Sequence, residues 1–305
     1  MRFSVPHPIP YQGSKRRLAN AILSHVSDAA YSRLVEPFAG SAAVTLAAAS
    51  QNKFAEFVIA DRLEPLVSLW QAVIDDPTKI GAQYESLWLR EREKPIEAYY
   101  EIRAEFNAER EPAKLLYLLA RCVKNAVRFN PAGDFNQSPD KRRTGTRPAA
   151  MRSELYAAHQ VLVGRCDTAC ADFLDMFEAA RPGDLFYLDP PYQGTSEGRD
   201  ARYFAGVSRE RMVQGLTLLN TKGIPFILSY DGTCGDRIYG ERLPSGLASR
   251  ILLDVGRSSQ GTLNGKNDTT VESLYISHKL MAATTDDDVP RSLKEFEHQG
   301  TMVFV

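Results

Sequence analysis

"RLVEPFAGSAAVTL", residues 33–46, puts a short apolar run, a glycine-containing turn and an alanine-rich helical stretch in immediate succession. A strand that passes through glycine into a helix lets a ligand approach the backbone closely, with the first helical N–H groups pointing at it. Such turns also join strand to helix with no chemistry attached. The full G-x-G-x-x-G phosphate fingerprint is absent, because Ala39-Gly40-Ser41-Ala42-Ala43 offers one glycine, and this argues against a dinucleotide.

The same alternation continues along the chain. Seven segments read as strands: Leu34–Phe38, Glu56–Ala60, Gln160–Arg165, Asp184–Leu188, Pro225–Tyr230, Ile251–Val255 and Val271–Ser277. Helical patterns intervene, in "SAAVTLAAAS", "EPLVSLWQAVI" and "SRERMVQGLTLLNT". This predicts an α/β fold with a mainly parallel sheet covered on both faces. The last strands lack a long crossover, so an antiparallel edge pair is expected there. Between about Asp75 and Ala158 the alternation breaks into "LWLREREKPIEAYYEIRAEFNAER" and "EPAKLLYLLARCVKNAVRF", both helical in pattern, followed by a basic loop. The expected organisation is a split catalytic domain (1–75 and 158–284), a helical insertion with its basic loop (76–157), and a tail (285–305) of unassigned role.

Composition narrows the class. A chain of 305 residues, 44% hydrophobic and 25% charged, buries a sizeable core without staples. No membrane span and no signal-peptide pattern is visible, which favours the cytoplasm. Cys122, Cys166, Cys170 and Cys234 are too sparse for a disulfide framework and are expected to be buried free thiols, with no metal site. A net charge of −1 announces no nucleic-acid partner, but Lys141, Arg142, Arg143 and Arg147 crowd into "PDKRRTGTRP", with Lys124 and Arg128 shortly before. That loop is either a solvated tip or a polyanion contact.

Three further stretches offer chemistry. Asp61 ends "FVIAD" and is placed either to accept ribose hydroxyls or to cap the next helix. "PYQGSKRRL" sets Tyr11, Gly13 and Lys15 just before the helical stretch Leu18–Val26, without the spacing of a phosphate loop. "YLDPPYQGTS", residues 187–196, leaves an apolar strand through Asp189, Pro190, Pro191 and Tyr192. It is either a stiff turn or a grip on a flat, amine-bearing substrate.

In their order these motifs resemble the alpha group of amino-methylating DNA methyltransferases, the family that includes the bacterial DNA adenine methylases. The resemblance runs from about Pro10 to Ser277. It rests on Y-x-G-S-K (Tyr11 to Lys15), E-P-F-x-G (Glu36 to Gly40), Asp61 after a strand, and an insertion carrying "RFNPAGDFN" (Arg128 to Asn136). "ADFLDMF" (Ala171 to Phe177), D-P-P-Y (Asp189 to Tyr192), "RYFAG" and "PFILSYDG" follow. The chain departs from the family pattern at Ala42, where a second glycine is common. It also departs in the longer, more basic "QSPDKRRTGTR", and in "LSYDG" where Ser-Asn is more frequent.

The resemblance implies a Rossmann-like, seven-stranded methyltransferase sheet and S-adenosylmethionine as methyl donor. It places Tyr11 and Lys15 at the cofactor's amino-acid end, Phe38 and Gly40 along its pocket, Asp61 on its ribose, and Asp172 and Phe173 at its adenine. Asp189 would touch both cofactor and target. With the Pro190 carbonyl it would accept the N–H bonds of the target amine, with Pro191 stiffening the turn and Tyr192 stacking on the base. Lys124, Arg128, Lys141, Arg142, Arg143 and Arg147 are then candidates for DNA phosphates, and Asn130 and Asn136 for base edges. The implied activity is site-specific adenine-N6 methylation of a flipped base in double-stranded DNA, in a bacterial or phage setting that accommodates a cognate restriction endonuclease. N4-cytosine methylation uses the same geometry, and a non-catalytic DNA-binding module is the alternative of another class.

Overall fold

A computed structural model describes residues 5–27, 30–90, 94–191, 207–234, 237–239, 241–257, 269–283 and 302–304. The first parallel strands are β1 (Arg33–Glu36), β2 (Glu56–Asp61), β3 (Cys166–Cys170), β4 (Asp184–Leu188) and β5 (Phe226–Cys234). β7 (Ser249–Arg257) and β8 (Thr269–Ile276) complete the sheet in the order β3-β2-β1-β4-β5-β8-β7. β8 runs antiparallel to both β5 and β7, so the expected antiparallel pair closes this side. Two short additions enlarge the seven-stranded plan: β6 (Arg237–Tyr239) on β5, and β9 (Met302–Phe304) parallel to β7, which places part of the tail.

Side chains alternate between the two faces of each strand, and both faces are covered. Leu34, Phe57, Ile59, Leu185, Tyr187 and Ile227 share one apolar cluster with α2 (Ala43–Ser50), α3 (Glu64–Asp75) and α7 (Pro148–Leu162). Val35, Val58, Phe186, Leu188 and Leu228 face α8 (Phe173–Glu178) and α9 (Arg209–Thr221) instead. Coverage on both sides explains why β4, "DLFYL", is buried throughout.

Between β2 and β3 the stretch expected as an insertion forms α4 (Pro77–Arg90), α5 (Pro95–Glu109) and α6 (Pro112–Arg121), which join the same apolar cluster as the sheet's first face. A short α1 (Ala19–Leu23) and α10 (His278–Ala283) flank the sheet in sequence.

Three expectations need correction. The third strand lies at Cys166–Cys170, because α7 runs on through Gln160–Leu162 until Gly164 turns the chain at φ 74°. Among the described residues β3 is an edge strand bonded only to β2 and nowhere fully buried, so it lacks the apolar signature of its neighbours. For the same reason Cys166 is half-buried and Cys170 exposed, and only Cys122 of the described cysteines is a buried thiol. The helical pattern "EPAKLLYLLARCVKNAVRF" ends early, with α6 stopping at Arg121: Cys122 is extended, and Lys124 and Asn125 are left-handed at φ 59° and 52°.

Chain direction positions the site. From β1 the chain moves outward to β2 and β3, whereas from β4 it moves the other way to β5. The carboxyl ends of β1 and β4 therefore flank a topological switch point, where open α/β sheets leave a crevice for ligands.

Candidate active site

Three acids mark this crevice, each in the strand phase that faces α2 and α3. Glu36 ends β1 two residues after Leu34, Asp61 ends β2 two after Ile59, and Asp189 follows β4 two after Tyr187. All three line a cavity of about 300 Å³. Of the sequence-selected residues, Tyr11, Lys15, Phe38 and Gly40 also line it, as do Pro190 and Pro191. Tyr192 and "RYFAG" lie outside the described residues.

The glycine turn is tightly built. Gly40 stands at φ 49°, and a Cβ there would meet Tyr11 Cε1 at 3.0 Å, so glycine lets the aromatic ring close over the backbone. The buried Trp70 indole donates to the Gly40 carbonyl at 2.9 Å, and Ser41 Oγ lies 2.8 Å from Ser14 Oγ, tying the N-terminal segment to the turn. Ala42 holds a left-handed conformation at φ 46° that costs a residue with a Cβ about 1 kcal/mol.

Burial dominates the electrostatics. Asp61 accepts the Leu63 N–H at 3.0 Å and the Gly40 N–H at 3.3 Å, yet burial pushes its carboxyl up to about 6. Glu36 is raised further, to about 8, although it accepts both the Thr45 hydroxyl (2.6 Å) and the Thr45 N–H (3.1 Å). Asp189 is lifted to about 6 by burial, against the pull of Lys15 at 3.3 Å. Lys15 itself is 6% exposed and lies 3.1 Å from a second carboxylate, that of Glu272 on β8.

Asp172 and Phe173 stand one layer behind. Phe173 is buried, with its ring 5.3 Å from that of Phe38. Asp172 caps α8 through the Leu174 N–H (3.0 Å) and pairs with Arg211 (2.9 Å) and with Arg62 (3.7 Å), which lines the cavity. Burial opposes its charge, but the Leu174 N–H and Arg211 hold its carboxyl below the usual range.

In the insertion, "RFNPAGDFN" forms a small hairpin in which the Asn130 amide is committed to Asp134. Asn136 is exposed, as are Lys124, Lys141, Arg142, Arg143 and Arg147, while Arg128 is half-buried. Arg143 pairs with Asp140 at 2.7 Å, and the buried Arg121 donates to the carbonyls of Asp140 and Arg143, holding the base of the basic loop. The left-handed step at Lys124-Asn125 brings the Asn125 carbonyl to the Gln12 N–H (2.9 Å), and Val127 reaches the cavity wall.

Sequence reasoning gave no role to Glu36, Arg62, Arg121 or Glu272. Glu36 lay in plain view inside E-P-F-x-G. Glu272 carried one signal: an acid in the core-facing phase of "VESLYI", where Leu274 and Ile276 are buried.

An open sheet of this order, with its last strands antiparallel and its crevice beside β1 and β4, is a methyltransferase fold. A family model described as D12 class N6 adenine-specific DNA methyltransferase matches residues 11–256, and the chain belongs to that family. It is 28% identical over 232 residues to the retron Ec67 DNA adenine methylase of Escherichia coli, covering 74% of this chain and 77% of that protein. It is 27% identical over 288 residues to the DNA adenine methylase of Salmonella typhi, covering 90% and 96%. Similarity to the DNA N-6-adenine-methyltransferase of Escherichia phage P1 is 26% over 210 residues, covering 66% of this chain but only 26% of that longer protein. The activity is therefore methylation of adenine N6 in DNA, rather than cytosine N4 methylation or DNA binding alone. Among the described residues no helix is long and apolar enough to cross a membrane.

Proposed function

We propose that the cavity binds S-adenosylmethionine and that Asp189 receives the N6 amine of an adenine flipped out of duplex DNA. The observation that carries this reading is the convergence of Gly40, Asp61 and Asp189 on one cavity at the switch point. The residues fit the cofactor. Gly40 keeps a side chain out of the turn, Asp61 offers carboxylate oxygens where a ribose is expected, and Phe38 backed by Phe173 gives an aromatic wall. The lining sets the carboxyls of Asp61 and Asp189 beside the cations of Lys15 and Arg62, which suits a ligand bearing a sulfonium, an ammonium and a carboxylate. Bound there, the cofactor supplies a methyl group made electrophilic by positively charged sulfur.

The protein's part is acceptance and alignment. The adenine amine is a poor nucleophile because its lone pair is delocalised into the ring. Asp189 and the Pro190 carbonyl accept its two N–H bonds, which favours a pyramidal nitrogen and stabilises the positive charge that builds on it. Once nitrogen has gained the methyl carbon it must lose a proton, and the Asp189 carboxylate is the adjacent base to take it. Pro190 and Pro191 fix the backbone on which these acceptors stand. Extruding the base costs a few kcal/mol, offset by stacking and hydrogen bonds in the site. The exposed cations of the insertion hold DNA phosphates, and Asn136 is free to meet a base edge.

The test is direct. Purified protein, S-adenosylmethionine and duplex plasmid should yield N6-methyladenine in the hydrolysed DNA by mass spectrometry, and cofactor binding should appear by calorimetry without DNA. Protein that binds no S-adenosylmethionine overturns the reading.

A further inference from the structure

Glu272 lies in none of the motifs that carry the family resemblance, yet it reaches the active-site cluster from the antiparallel side of the sheet. On β8 it shares the strand phase of Leu274 and Ile276, both in the core, where an acid is costly unless paired. Its partner is Lys15, whose Nζ lies 3.1 Å from Glu272 Oε2 and 3.3 Å from Asp189 Oδ1. Side-chain exposures of 6% for Lys15, 17% for Glu272 and 20% for Asp189 keep this triad largely out of water. Among the described residues Glu272 Oε2 is buried and makes no hydrogen bond, so Lys15 meets it as a charge.

The β5–β8 ladder is shaped to put Glu272 there. Ser229 pairs with Leu274 and Gly232 with Glu272, so β5 carries one residue more than β8 across this step. Such a bulge re-aims the side chains beside it. Gly232 is required opposite Glu272, because a Cβ there would stand 2.7 Å from the Val271 carbonyl oxygen. Within the bulge Asp231 is buried, accepting the Tyr275 hydroxyl at 2.9 Å and pairing with Arg250 at 3.4 Å. The departure "LSYDG" is thus the bulge itself.

We propose that Glu272 is a positioning residue that shares Lys15 with Asp189, leaving the Asp189 carboxylate free to accept the target amine. The inference rests on the catalytic role proposed above for Asp189. A buried ammonium facing one carboxylate would settle on it as a full ion pair, occupying its lone pairs and weakening it as a base. Sharing between two carboxylates prevents that. Among the described residues, Glu36 from β1 and Tyr187 from β4 also face Asp189.

Glu272→Gln tests this, because it keeps the shape and removes the charge. The Glu272 carboxylate raises the Asp189 titration, so its loss moves the acidic limb of the methyl-transfer profile to lower pH. The plateau kcat falls roughly 10- to 100-fold, with KM for DNA unchanged. In cofactor-free protein, carbon-13 NMR of labelled aspartate shows the Asp189 midpoint moving down from about 6. Glu272→Asp keeps the charge and returns both readings toward wild type. A folded Glu272→Gln protein in which neither midpoint moves overturns the proposal, whatever its stability. If that variant does not fold, Lys15→Met gives the complementary reading: with the shared cation gone the Asp189 midpoint rises, and an unmoved midpoint overturns the sharing. A shifted NMR midpoint with no methylation by the wild-type protein upholds the charge sharing and removes the catalytic reading instead.

Discussion

Lys15 is 6% exposed and stands between two carboxylates, whereas Lys141 and Arg142 stand out in solvent on the basic loop. Charge in the crevice is buried, matched and held within hydrogen-bonding distance of its partners. Charge on the loop is displayed. The difference follows from dielectric: in the crevice an ion interacts strongly over a few ångströms and must be compensated. In water a cation is screened within about 8–10 Å, so only several acting together draw a polyanion. Geometry does the work in one region and summed field in the other, and the two should fail differently when a charge is removed.

The largest effect is expected at Asp189. Asp189→Ala should cut methyl transfer at least about 100-fold, because it deletes the carboxylate proposed to face the developing cation. The fold should survive, since Lys15 keeps Glu272 as a partner. Turnover measured beside a thermal melt checks both, and near-full activity in the variant would remove Asp189 from the mechanism. Asp61→Ala comes next. It removes the proposed ribose acceptor and leaves the Gly40 and Leu63 N–H groups unmatched. Cofactor affinity by calorimetry should fall by roughly 1.5–3 kcal/mol, about ten- to a hundredfold, with DNA affinity in the absence of cofactor unchanged. Equal loss of both would erase the distinction between the two regions.

The same contrast decides what could be read from the sequence. β1, β2 and β4 are central strands, so their apolar runs are long enough to recognise, and the acids that end them stand out against those runs. β3 escaped because an edge strand needs no apolar run. "QVLVG" mimicked it because its valines serve the last turn of α7 and the loop beyond as readily as a strand. Asp61 and Asp189 were visible because each interrupts its own local pattern. Glu272 meets Lys15 across the whole chain, through a bulge that no local pattern encodes. Arg121 is likewise invisible as a loop anchor, since its partners are backbone carbonyls that any sequence supplies.

The smallest expected effect is at Arg142. Its side chain is exposed, and its backbone N–H, not its guanidinium, makes the bond to Asp140 at 2.9 Å. Arg142→Gln therefore leaves the loop's frame intact, unlike Arg143→Gln, which strips Asp140 of its ion pair. If Arg142 holds one phosphate, the slope of log K against log salt should become shallower by about 0.9, and affinity near 0.1 M salt should fall by tenfold at most. The loss should be the same for every DNA sequence, because a phosphate contact carries no base information. kcat at saturating DNA should not change, since the loop lies apart from the cavity wall that Val127 reaches. Fluorescence anisotropy across a salt series, with two unrelated duplexes, separates the outcomes. An unchanged slope places Arg142 outside the interface. A loss confined to one duplex makes it a reader of bases, and a fall in kcat with an unchanged slope would mean that the loop acts on chemistry, as proposed for the crevice.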